Sequence, residues 1–484
     1  MVKMPRLLVF LFFVFALGSL VLLLGCSGTS TNSDIPATPY QVLTISDLHF
    51  NPFYDPSLFP ALVAADASQW KEIFQRSNIK KPSTFGTDTN YPLLVLALAS
   101  MKQNLGSSPV VLFTGDVLGH GIPQIFCAIY NHAPIESCPP LDAAGTVAMQ
   151  QFVDKTMAFV ALQIRASVGN VPVFIVPGNI DTYSGGAGPD TDFLANNAST
   201  IYTQLLLRSV DQASFQSSFT TLGSYSAPAM GSQVLVVAMN SNPLAEGAPL
   251  NPDDELTWLQ SQLASARASG QKVWLLMHVP PGVNTMGTAQ NAAQAGTPSQ
   301  VTDGETSMMW EDNYQERFLQ ILGKYPTVVT MMLGGHTHMD EYRIMSTGNI
   351  LYGIPGITPW FGNNPAFKIF TVTQSSFMPT DYLSIDYDLS AQPSQFRSLY
   401  RFSTAYGISP NASLQYSSQQ LSTQFAHSSA KRSAYIAYYD SGNTSLNPKT
   451  NVQWNPVNNG NWPIFACGIS QAKKQKYVPC VNTY

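Results

Sequence analysis

The sequence predicts an α/β fold of layered helices and sheets, and three observations carry that prediction. Apolar runs of strand length recur along the chain, rich in Val, Ile and Leu and with little alternation. Helical patterns lie between them. Asp, Asn and His gather just after the runs. Unalternating runs suit strands covered on both faces, strands alternating with helices imply a layered α/β fold, and the carboxyl ends of such strands are where ligands bind.

At the N-terminus, "MVKMPR" is a basic start, with the apolar stretch "LLVFLFFVFALGSLVLLL" and then "GCSGTSTNSD" after it. This order reads as an export signal over residues 1–26. The stretch is also long enough to span a bilayer, so an uncleaved anchor is the competing reading. The ending "LLGC" resembles a bacterial lipobox, with Cys26 as the lipidated residue and Leu24 a less usual choice at its position. A plain secretory signal cut nearby is the alternative. Each reading places the mature chain outside the cytoplasm, secreted or held at the membrane by a lipid anchor. Residues 27–38 are small and polar and form a tether.

Runs of strand length then appear as "YQVLTIS", "PVVLFT", "VPVFIV", "QVLVVAM", "KVWLLM" and "TVVTMML". The clearest helix is "NPDDELTWLQSQLASARASG". Asn251 is its N-cap, Pro252 stands in its first turn, Leu256, Leu259 and Leu263 form one stripe, and Gly270 ends it. "NYQERFLQILGKY" repeats the theme with Tyr314, Phe318 and Leu322. Residues 286–304 are small and polar and read as a mobile loop. From about residue 395 the chain is rich in Ser, Tyr, Asn and Gln, a C-terminal extension whose function is unreadable.

Composition narrows the function. Of 484 residues 45% are hydrophobic and 11% charged, with net charge −5 and no basic run beyond "KKQK". Nothing favours a nucleic-acid polymer as partner. Of the five cysteines, removing Cys26 for lipid leaves four in two sequence-local pairs. Three pairings are possible. In an oxidising compartment, locality favours Cys127–Cys138 and Cys467–Cys480.

The chemistry lies just past the end of each strand. "LTIS" runs into Asp47 and His49, "VVLFT" into Asp116 and His120, "VFIVP" into Asn179 and Asp181, "VWLLM" into His278, and "TMML" into "GGHTHM" with His336 and His338. Each alone reads as a turn residue, a cap or a buried histidine. Jointly they share one kind of location. Oxygen and imidazole donors without thiolate suit zinc, iron or manganese.

This ordered set resembles the calcineurin-like metallophosphoesterases, and within them the acid sphingomyelinase-like phosphodiesterases. The supporting stretches are "SDLHFNPFY", "TGDVLGHG", "VPGNID", "MHVPPG", "MMW" with "NYQERF", "GGHTHMDEY", "GIPGITPWFGNNPAFKIF" and "LYRFSTAYGI". The resemblance covers most of residues 40–410. It implies an α/β/β/α sandwich as catalytic domain over residues 39–394, with the extension 395–484 after it. It also implies two divalent metal ions, zinc first and iron or manganese as alternatives. Asp47, His49, Asp116 and His338 would serve one ion, and Asp116, Asn179, His278 and His336 the other. The implied activity is hydrolysis of a phosphoric diester by a metal-bound hydroxide, with a phosphocholine lipid or a nucleotide-type substrate. Two departures stand out. No cysteine-rich saposin domain precedes the first strand, which favours the saposin-free branch. The family places histidine after the ligand asparagine, where this chain has Ile180. Family members also carry a histidine four residues past the bridging aspartate, and His120 matches it. His120 is therefore the expected acid for the leaving alkoxide. A non-catalytic metal-dependent surface binder and a phosphomonoesterase of the same superfamily are the competing readings.

Overall fold

The apolar runs become strands of two six-stranded sheets. In this computed structural model, residues 38–391, 394–410, 412–443 and 456–484 are described; the export signal with Cys26 and most of the tether lie outside them. The strands are β1 (Tyr40–Ile45), β2 (Val111–Phe113), β3 (Val173–Ile175), β4 (Tyr225–Ala229), β5 (Val234–Ala238), β6 (Lys272–Leu276), β7 (Val329–Gly334), β8 (Tyr342–Ile344), β9 (Ile350–Gly353), β10 (Ala366–Val372), β11 (Pro379–Tyr387) and β12 (Phe396–Arg401). The first sheet has the order β12-β11-β10-β1-β2-β3 and the second β4-β5-β6-β7-β9-β8. β1, β2 and β3 run parallel, as do β5, β6, β7 and β9. Their carboxyl ends carry Asp47, Asp116, Asn179, His278 and His336.

Burial explains the missing alternation. Along β6, Val273 and Leu275 pack in one core with Leu256, Leu259, Leu263, Phe318 and Leu322 from helices Pro252–Ala268 and Asp312–Lys324. Trp274 and Leu276 point the other way, into a larger core shared with Val42, Leu43, Phe367 and Phe370 of the first sheet. Successive side chains on a strand face opposite sides, so a strand buried on both must be apolar throughout. Helices Tyr91–Asn104 and Ala143–Val168 add Leu94, Met101, Phe152 and Phe159 to the larger core. Helix Pro252–Ala268 forms as expected. Asn251 accepts from the Asp253 N–H at 3.1 Å, Pro252 opens the first turn, and the turn at Gly270 has φ of 70°.

Residues past 395 are built into the same unit, which spans Thr38–Tyr484. Phe396–Arg401 is an edge strand of the first sheet, and helices Leu414–Gln424, Ser429–Tyr439, Trp462–Ser470 and Lys474–Thr483 come after it. The disulfides are Cys127–Cys138 and Cys467–Cys480. The stretch 286–304 departs from the loop reading. Its first part is a helix, Thr285–Gln294, started by the Asn284 side chain accepting from Gly287 N–H at 2.9 Å. Ala289 and Ala292 are buried beneath it, and it packs on helix Trp462–Ser470 so closely that a Cβ on Gly468 would collide with the Thr285 methyl. No helix among the described residues is long and apolar enough to cross a membrane.

Candidate metal centre

The strand-end residues sit in backbone conformations that few L-residues adopt. Asp47, His49, Asp116, His336 and His338 have φ of 46°, 44°, 58°, 70° and 61°. Positive φ in non-glycine residues is uncommon, costs energy, and clusters at functional sites. Hydrogen bonds hold these turns. His336 N–H donates to both oxygens of Asp47, at 3.0 and 3.1 Å. Asp181 accepts from the N–H groups of Asp116, Val117, Leu118 and Gly178 at 2.8–3.1 Å, fixing the loop that carries Asp116. Burial and the charge of Asp116 push the Asp181 carboxyl up to about 6. Ile180 contributes its backbone. Its N–H donates to Asp116 Oδ1 at 2.8 Å, turning Oδ2 toward the histidines. Glycine is required where chains cross. A Cβ on Gly178 would run into the Asp116 carboxylate, and one on Gly335 would run into Ser46 Oγ.

All seven strand-end ligand candidates converge. Asp47, His49 and His338 form one cluster able to hold an ion, and Asp116, His278 and His336 another. In the first, Asp47 Oδ1 lies 3.8 Å from His49 Nε2 and 3.4 Å from His338 Nε2. In the second, Asn179 Oδ1 lies 2.9 Å from His278 Nε2 and 2.8 Å from His336 Nδ1. Asp116 Oδ2 stands between them, 3.2 Å from His49 Nε2 and 3.1 Å from His278 Nε2. Ligand atoms around a tetrahedral ion with bonds near 2.0–2.1 Å are about 3.3 Å apart, so the spacing fits.

Tautomers and burial fit a cation as well. His49 Nδ1 is 3.0 Å from the Leu118 carbonyl and His278 Nδ1 is 2.7 Å from the Thr114 carbonyl, so each Nδ1–H donates to backbone. That leaves both Nε2 atoms turned to carboxylate oxygen, the arrangement of metal-ligating histidines. His49 Nε2 is buried and has no hydrogen-bond partner. Burial pushes His336 down to about 4 and holds His338 well below its usual range, the direction that favours the neutral, metal-binding imidazole. Burial pushes His278 the same way, but the Asp116 charge reverses it, up to about 9. The residues present therefore fit two divalent ions sharing Asp116.

His120 lies at the edge of the first cluster. Its ring stacks between His49, at 4.2 Å, and Trp360, at 4.1 Å, and it is 23% exposed. Its Nδ1 sits 2.7 Å from Asp88 Oδ1, while Asp88 Oδ2 accepts from the His120 N–H at 2.8 Å. No motif surrounds Asp88 in the sequence, so only the fold reveals it. Phe361 packs edge-on to His338 at 4.7 Å. Trp310 is 1% exposed and packs on Phe318, so it belongs to the core. Beside His336 lies a cavity of about 310 Å³ whose walls include Thr285, Met309, Thr337, Phe361 and Tyr439.

Comparison with known proteins identifies the family. The calcineurin-like phosphoesterase family model matches residues 40–340. Sphingomyelinase phosphodiesterase D of Dictyostelium discoideum is 24% identical over 77% of this chain and 83% of its own length. The acid sphingomyelinase-like phosphodiesterase 3b of Mus musculus is 23% identical over 76% of each chain. A cyclic GMP-AMP phosphodiesterase of Mus musculus is 23% identical over 72% of this chain and 70% of its own.

Proposed function

The chain belongs to the calcineurin-like phosphoesterase family, and from that premise we propose that it hydrolyses phosphoric diesters at a centre of two divalent cations, releasing a phosphomonoester and an alcohol. The carrying observation is Asp116 Oδ2, placed within 3.2 Å of one imidazole from each cluster. Asp47, His49, Asp116 and His338 would hold one ion, and Asp116, Asn179, His278 and His336 the other. Zinc suits this donor set first, with iron and manganese next. Ions bound there would supply Lewis acidity for the phosphoryl group and the attacking water.

The chain's own groups do the rest. Asp181 and the Ile180 N–H lock Asp116 in its shared orientation. Asp88 fixes the His120 ring through Nδ1, leaving Nε2 to give its proton to the departing alkoxide. General acids of this kind contribute about 10²–10⁴-fold. Ile180 has no proton to give in place of the family histidine, so His120 carries this role. Changing Asp116 or His336 to Ala abolishes hydrolysis of bis(p-nitrophenyl) phosphate; full activity in both variants would defeat the reading. Side-by-side rates on monoesters and diesters separate it from a phosphomonoesterase.

The two disulfides support export. Lipid attachment at Cys26 is part of the proposal: the wild-type chain then takes up labelled fatty acid and Cys26→Ala does not.

A further inference from the structure

On the wall of the cavity beside His336, which Asn284 and Gln290 also line, three hydroxyls point their protons inward. Thr337 Oγ1 donates to Glu341 Oε1 at 3.2 Å, and Tyr439 OH donates to Glu341 Oε2 at 3.5 Å. Thr285 Oγ1 lies 3.3 Å from the Tyr439 oxygen. With the Tyr439 proton given to Glu341, Thr285 is the donor in this pair. Glu341 and Arg343 are 5% and 3% exposed and form a buried ion pair, with Arg343 Nη2 and Nε donating to Oε1 at 2.9 and 3.1 Å. Arg343 Nη1 also donates to the Pro281 carbonyl at 2.9 Å, tying this hub to the loop after His278. A hydroxyl has one proton and two lone pairs. With the protons drawn inward to a charged acceptor, Thr285, Thr337 and Tyr439 have only lone pairs left for a ligand. Phe361 and Met309 supply apolar walls.

Resting on the phosphodiesterase reading, we propose that this cavity holds the organic arm that stays on the phosphorus, and that it selects arms carrying O–H or N–H donors. A primary ammonium or a sugar hydroxyl can bond to that wall. A quaternary ammonium offers it no donor. The location agrees with this role, because the cavity adjoins His336 of one cluster whereas His120, the acid for the leaving oxygen, adjoins His49 of the other. Glu341 and Arg343 touch no substrate and act as positioning residues. In the reaction, water oxygen bonds to phosphorus, the bond to the leaving oxygen breaks, and the phosphate keeps the selected arm.

The test uses the p-nitrophenyl esters of phosphoethanolamine, phosphocholine and thymidine 5′-monophosphate, which share one leaving group. The metal-loaded wild-type protein should show kcat/KM for the ethanolamine and thymidine esters roughly tenfold or more above the choline ester, the scale of one net hydrogen bond. Tyr439→Phe and Glu341→Gln should bring those ratios toward one, with metal content per chain equal to wild type. In Glu341→Gln the oxygen stays toward Arg343 and Thr337, while the amide nitrogen takes the Oε2 place and donates to the Tyr439 oxygen, freeing the Tyr439 proton to face the ligand. Thr285→Val gives the same reading should Glu341→Gln fail to fold. A choline ester hydrolysed as well as the others by wild type, or ratios unchanged in the variants that fold, overturns the inference. Failure to hydrolyse bis(p-nitrophenyl) phosphate at all would instead sink the phosphodiesterase reading.

Discussion

Asp88→Asn tests whether His120 delivers a proton. To act as an acid with Nδ1–H bonded to Asp88, the ring must also hold a proton on Nε2, so the imidazolium is the working form. The carboxylate 2.7 Å from Nδ1 holds the ring in place. Hydrogen bonds to charged groups are worth about 1.5–3 kcal/mol, so losing this one costs the placement of the acid roughly 10- to 100-fold in rate. Asparagine also has one oxygen where the aspartate uses two, and Oδ2 is already engaged by the His120 N–H. The assay compares two leaving groups. Release of p-nitrophenolate from bis(p-nitrophenyl) phosphate needs little proton assistance, whereas an alkoxide from glycerophosphoethanolamine needs it fully. The variant should lose about 10- to 100-fold in kcat on the alkyl ester and little on the aryl ester. Equal losses on both, or none on either, would refute the role of His120 as acid.

Single contacts lead to three further outcomes. Glu255 is buried with one oxygen bonded to Ser224 and the other without a partner, and burial pushes its carboxyl up to about 8. The folded form therefore binds a proton more tightly than the unfolded one, and stability falls as pH rises from about 4.5 to about 8. Glu255→Gln should remove about 3 kcal/mol of that cost at pH 7 and change little at pH 4, as read by denaturant melts at the two values. Gly178→Ala places a Cβ against Asp116 Oδ1. It should lower bound metal and cut kcat at least about 100-fold, the cost of misplacing a reacting group by an ångström, while circular dichroism stays unchanged. Replacing both Cys467 and Cys480 by Ser opens a loop of sequence separation 13 and should lower unfolding free energy by about 3 kcal/mol in urea titration.

Legibility in the sequence obeys a physical rule. Strands such as β6 and β7 are legible because burial on both faces leaves a continuous apolar run. The ligand candidates are legible because each stands immediately after such a run. Antiparallel β10 and β11 are not, since Asn363, Asn364, Pro365 and Pro379 flank them with loop signals. Helix Thr285–Gln294 is small and polar by itself, and its partner lies far along the chain in Trp462–Ser470. Asp88 reaches His120 only because the Phe50–Asn51 segment pairs with Thr89, a tertiary event with no local pattern. Glu341 stands three residues past His338. A charged pair, Glu341 and Arg343, beside a buried ligand loop is the available signal. Ile180 shows the converse. Its side chain looks like a loss, but its N–H does work that any residue except proline could do.

Two cations sharing Asp116 are the premise on which the chemistry stands. Elemental analysis combined with anomalous diffraction from crystals of the active protein puts that premise to the test. Two divalent ions per chain are expected, one among Asp47, His49 and His338, the other among Asn179, His278 and His336, with Asp116 touching both. Active protein containing no transition metal, or ions bound away from Asp116, would contradict it.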